Sequence, residues 1–101
     1  MDIRNIVTGE SCEMLISGRI DGAGANQLEV EIISAIRSGT KNIYVNLDGA
    51  TFLCSAGLRV LLQYWRQMKN SGRVLLATRP SPEVDAVLAT SGFREVLVEK
   101  V

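Results

Sequence analysis

A chain of 101 residues, 47% apolar and 22% charged, has ordinary globular proportions and suits one domain spanning residues 1–101. Its 11 basic and 11 acidic side chains cancel, which argues against nucleic acid as a partner, because phosphate neutralisation supplies most of that affinity. Histidine is absent, so Ser-His-Asp and Cys-His nucleophiles, histidine metal sites and the usual general base are excluded.

Two apolar stretches, "DIRNIV" and "CEMLISGRI", flank "TGES" and read as an opening hairpin. "GAGANQLEVEIISAIRSG" sets Ala25, Leu28, Ile32, Ala35 and Ile36 on one helical face, with Gly39 as its stop. "NIYVNL" is a short apolar strand. A second helix starts at Ser55, with Leu58, Leu61, Leu62, Trp65 and Met68 at helical spacing, and "NSG" at 70–72 ends it. Leu61, Leu62 and Trp65 are expected on its inner face. "RVLLAT" is another buried strand. Ser81 and Pro82 open a third helix carrying Val84, Val87 and Leu88, and Gly92 closes it. "EVLVEKV" at 95–101 is read as a further strand.

Strands alternating with helices imply parallel pairing through right-handed crossovers. The expectation is an α/β fold with a mixed, mostly parallel sheet of four to five strands and three to four helices. Function in open α/β sheets gathers at the carboxyl ends of strands. If the strands ending at 19–21 and 47–55 are neighbours, Asp21, Asp48 and Ser55 share one edge.

Each of these residues has a plain reading beside the functional one. Ser55 is a preferred helix N-cap type, and a helix N-terminus also tolerates an added phosphate. Asp21 before Gly22 and Asp48 before Gly49 are ordinary turn aspartates. Cys54 reads as a small half-buried apolar residue rather than a reactive thiol. Gly22 and Gly24 release the chain from strand to helix and do not form a phosphate cradle, because no Gly-Lys-Ser/Thr follows. Tyr64 is assigned to packing and surface. Cys12 and Cys54 are expected to be separate free thiols in a reducing cytosol. No metal, cofactor or catalytic residue is expected. Neither a signal peptide nor a membrane span is legible.

Four stretches together resemble the STAS domain of bacterial anti-sigma factor antagonists: the opening hairpin, "SGRIDGAGANQLEVEI", "NIYVNLDGATFLCSAGLRVLL" and "SGRVLLATRPSPEVDAVLATSGF". The most specific is "LDGATFLCSAGLRVLL". The resemblance implies a non-enzymatic switch. Ser55 matches the serine phosphorylated by a partner that is both anti-sigma factor and serine kinase, of the histidine-kinase-like ATPase fold. A serine phosphatase resets it. Asp21 matches an acid of the phosphosite neighbourhood, which Asp48, Cys54, Ala56 and Gly57 complete. Three positions depart from the family pattern. Cys54 stands where aspartate is usual, Ala56 where serine or threonine is frequent, and Asn46 where many members have aspartate. The expected protein is a monomer. A second reading makes the chain an adaptor subunit of a lipid-transport or other multiprotein complex, with Ser55 only a cap. A third is a hydrolase or redox protein using carboxylates or Cys54.

Overall fold

The computed structural model describes residues 1–99. β1 (Asp2–Thr8) and β2 (Ser11–Ile20) pair as an antiparallel hairpin closed between Thr8 and Ser11. α1 (Gly22–Arg37) carries the chain back so that β3 (Asn42–Leu53) lies parallel to β2. α2 (Ser55–Asn70) repeats the crossover to β4 (Val74–Thr78), parallel to β3. α3 (Pro82–Ser91) and α4 (Arg94–Leu97) follow. The strand order is β1-β2-β3-β4, and the mixed sheet and hairpin match expectation.

Alternation sets the core. Cys12, Met14 and Ile16 of β2 and Ile43, Val45 and Leu47 of β3 are buried on one face. Ala25, Leu28 and Ile32 of α1 pack into the same cluster, as do Leu61 and Met68 of α2. α3 contributes Val84 and Leu88. Its entry matches the sequence: the Ser81 hydroxyl accepts from Val84 N at 3.3 Å and donates to the Ala50 carbonyl at 2.6 Å, with Pro82 as first helical residue. Gly92 leaves α3 at φ 82°, a left-handed conformation that glycine adopts without a side-chain penalty. Cys12 lies opposite Ile43, near the start of β3, whereas Cys54 follows its end. The two thiols sit at opposite ends of the sheet, out of disulfide reach. Burial pushes the Cys12 thiol up, and the Glu31 carboxylate adds to this.

β3 is twice as long as "NIYVNL" suggested. It continues to Leu53 because two bulges keep it on β2: Leu15 faces Asn46, Ser17 faces Gly49 and Arg19 faces Phe52. Leu47, Ala50 and Leu53 are all buried, at a spacing of three rather than two. Asn46 braces the first bulge. Its Oδ1 accepts from Asp48 N at 3.0 Å and its Nδ2 donates to Glu13 at 3.2 Å.

Two expectations are corrected. Residues 95–97 of the last apolar stretch belong to α4, since Leu97 reaches the core from a single turn and Arg94, at the start of that turn, pairs with Asp85 on α3. Among the described residues, strand pairing there is one bridge, Val98 to Ala77, supported by Glu99 N donating to the Ala77 carbonyl. Residues 100–101 of that stretch lie outside the described residues. On α2 the inner face is Gly57, Val60, Leu61, Tyr64 and Met68. Leu62 and Trp65 are only half-buried, because the helix is rotated to bring Tyr64 inward, where its hydroxyl donates to Glu29 of α1 at 2.8 Å.

These placements make two predictions. Leu61 is fully buried, so Leu61→Ala should lower unfolding free energy by about 2–5 kcal/mol in denaturant melts. Leu62→Ala should lower it by less than about 1 kcal/mol; equal losses would contradict this helix rotation. The Tyr64 hydroxyl is pushed up to about 12, first by burial and then by its bond to Glu29 and that carboxylate's charge. A folded value above the unfolded one of about 10 means that the stabilisation is complete below pH ~10 and lost as pH rises towards 12. Tyrosinate absorbance should show a late-titrating component that Tyr64→Phe removes.

Candidate functional site

Parallel pairing brings the exits of β2 and β3 together. Ile20 faces Leu53, and Cys54 N donates to the Ile20 carbonyl at 3.0 Å. α1 and α2 therefore start side by side at one edge of the sheet. Asp21 caps α1, with Oδ1 accepting from Gly24 N at 2.9 Å. The expected proximity of Asp21 and Ser55 holds.

The cap of α2 is Cys54, not Ser55. The Cys54 sulfur accepts from Gly57 N at 3.4 Å, and Ser55 is the first residue with helical backbone. The register is forced by packing. Gly57 lies against Ile20 and Leu53, where an added Cβ would come within 2.7 and 2.8 Å of their side chains. With residue 57 held inward, Ser55 points to solvent and Ala56 is half-buried. The Ser55 hydroxyl has no hydrogen-bond partner among the described residues.

Asp48 does not join this edge. It sits inside β3 at the first bulge, exposed, five residues before the strand ends, or roughly 15 Å by strand rise. The turn reading of Asp48 fails because the strand continues past it. Its neighbours are Asp2, Arg4, Ser17 and Arg79, on another part of the surface.

Further residues belong to the site. Ser55, Leu58, Arg59, Leu62, Gln63, Arg66, Gln67 and Asn70 line a shallow depression of about 680 Å³ along the outer face of α2. Every one of them comes from α2, and no other element among the described residues lines that depression. On the strand side, Arg19 stacks over the ring of Phe52 at 4.2 Å, two residues before Cys54. One signal for the α2 face was legible: the sequence of this helix contains Arg59, Arg66 and Lys69 and no carboxylate. Among the described residues no group of three or more metal-ligating side chains is assembled, and no helix is long and apolar enough to cross a membrane.

Sulfur is a weak acceptor, so this cap is a weak one. Cys54→Asp should raise unfolding free energy by about 0.5–1 kcal/mol through a stronger cap and a favourable charge at the helix start. Urea melts of the two proteins would measure it. A loss of stability would mean that the thiol is held by apolar packing instead.

Comparison with known proteins gives this site a context. The STAS domain model matches residues 3–101. A Bordetella bronchiseptica protein, BtrV, named as a candidate anti-sigma factor antagonist, is 30% identical over 80% of this chain and 70% of its own length. The anti-sigma F factor antagonist of Lysinibacillus sphaericus is 32% identical over 87% of this chain and 76% of its own. Among solved structures, the anti-sigma factor antagonist SpoIIAA in its unphosphorylated form superposes with a TM-score of 0.84, over 99% of this chain and 88% of that one, at 24% identity. By fold, by the model match along nearly its whole length and by these relatives, the chain belongs to the STAS domain family.

Proposed function

We propose that this protein is an anti-sigma factor antagonist that binds its anti-sigma factor through the surface around the start of α2, and that phosphorylation of Ser55 switches the binding off. One observation carries the reading: an exposed serine hydroxyl without a partner stands at the first helical position of α2, beside the capped start of α1. The names of the two relatives support the antagonist role.

The chemistry suits the position. Transfer of the γ-phosphoryl group of ATP to Ser55 Oγ would release ADP and the hydroxyl proton. The product carries about −1.5 to −2 charges at neutral pH. A helix N-terminus accepts such a group, because its free N–H groups and dipole favour an anion. The fold is therefore retained, while a bulky dianion enters a surface that had been complementary to the partner. The partner in this reading is an anti-sigma factor that is also a serine kinase of the histidine-kinase-like ATPase fold. A serine phosphatase restores the free hydroxyl. The protein acts in the cytosol and is monomeric when free. Asp21, Cys54, Ala56 and Gly57 shape the neighbourhood of Ser55, and Asp48 lies away from it.

The test incubates the purified protein with each candidate anti-sigma kinase of its own organism and ATP, followed by mapping of the modified residue. Ser55 should take the phosphate, and affinity for the kinase should fall at least tenfold. Ser55→Ala should keep the fold, with stability changed by less than about 0.5 kcal/mol since Cys54 supplies the cap, and should bind constitutively. Label on another residue, or unchanged affinity after full Ser55 phosphorylation, would overturn the switch.

A further inference from the structure

Ser55 and Arg59 are four residues apart on α2 and line the same exposed depression. Four residues are about 6 Å of helix rise, and side chains at that spacing are neighbours on the helix surface. An anionic group N-terminal to a cation at this spacing is the favourable order. Arg59 is exposed and has no ion pair or hydrogen bond among the described residues. The other charged groups nearby are engaged or distant. Arg19 stacks on Phe52, Lys69 on Trp65, and Asp21 is held by Gly24 N. Arg66 lies two turns further along the same face. The cap at Cys54 carries no carboxylate to repel an added anion.

We infer that Arg59 is the built-in receptor for a phosphate on Ser55. Its guanidinium takes two phosphate oxygens in a forked ion pair, the geometry that arginine offers to phosphate. This rests on the reading of Ser55 as the modified residue, and it deepens the switch. Phosphorylation then does two things at once. It adds negative charge at the start of α2, and it withdraws the first of the two arginines that the unmodified face presents to a partner. The surface changes sign locally instead of merely gaining an obstacle. Arg59 is a positioning residue for the modified state, not a catalytic one.

The experiment installs phosphoserine at position 55 by genetic encoding, so that no kinase is needed. The phosphorus NMR signal is then followed against pH in the wild type and in Arg59→Gln, Arg59→Lys and Arg66→Gln. The titration midpoint of the phosphate should lie at least about 0.5 pH units lower with Arg59 than in Arg59→Gln, because a nearby cation favours the charged form. Arg59→Lys should fall between the two, and Arg66→Gln should match the wild type. Thermal melts of the unphosphorylated variants establish that each is folded. An equal midpoint in Arg59→Gln and wild type would overturn the inference, as would a shift from Arg66→Gln as large as that from Arg59→Gln. Failure of any kinase to label Ser55 would count against the switch itself and leave these midpoints as they are.

Discussion

The contact between Gly57 and the ends of β2 and β3 governs the rest of the site. α2 approaches Ile20 and Leu53 so closely that any side chain at position 57 would have to displace theirs. That approach fixes the rotation of the helix about its axis. Val60, Leu61, Tyr64 and Met68 then face the core, Leu62 lies half-buried at its margin, and Ser55, Arg59 and Arg66 face away. It also fixes the height of the first turn, so that Cys54 can reach back to Ile20 with its N–H and forward to Gly57 with its sulfur. A larger residue at 57 would disturb all three relations together, and a rigid interior offers little room to absorb the shift.

A second tie works at a distance from that edge. The Tyr64 hydroxyl spans from α2 to Glu29 of α1, and it is buried together with the flank between the helices. The two helices are thus held to the sheet by apolar packing and to one another by a polar bond in a poorly solvated place. The starts of α1 and α2 keep a fixed relation as a result. The direction in which the exposed Ser55 side chain leaves the helix is fixed by the same relation.

Much of the fold was legible because its signals were local. The hairpin turn, the Ser81–Pro82 entry into α3 and the Gly92 exit each rest on one residue type with one conformational preference. The parts that were missed depend on long-range geometry. "LDGATFL" does not alternate, since two bulges space Leu47, Ala50 and Leu53 three apart, and so it did not read as strand. Asp48 reads as a turn residue because Gly49 follows it, yet the pair sits at a bulge inside the strand. The inner face of α2 was misjudged because Leu58, Leu62 and Trp65 make an apolar stripe as regular as the one that is buried. Only the contact at Gly57 chooses between them. The cap at Cys54 escaped notice because cysteine is a poor acceptor, and Ser55 beside it is the better cap by type. At the edge itself, the placement of Asp21 and Ser55 at neighbouring helix starts was legible from the strand ends, whereas the exposure of Arg59 depends on the rotation of α2 and was not.

The two bulges in β3 carry a consequence for how this surface can change. Substitutions between residues 47 and 53 alter one side chain at a time. Each bulge gives β3 one residue more than β2, so removing that residue would turn a spacing of three into a spacing of two and leave the flanking core positions on the same face, whereas a deletion away from the bulges would reverse the alternation. The position of the edge that carries Ser55 is in this sense a matter of counting. The chemistry of that edge is open to revision residue by residue, while a change in the length of the strand that leads to it fits only where a bulge can give up its extra residue.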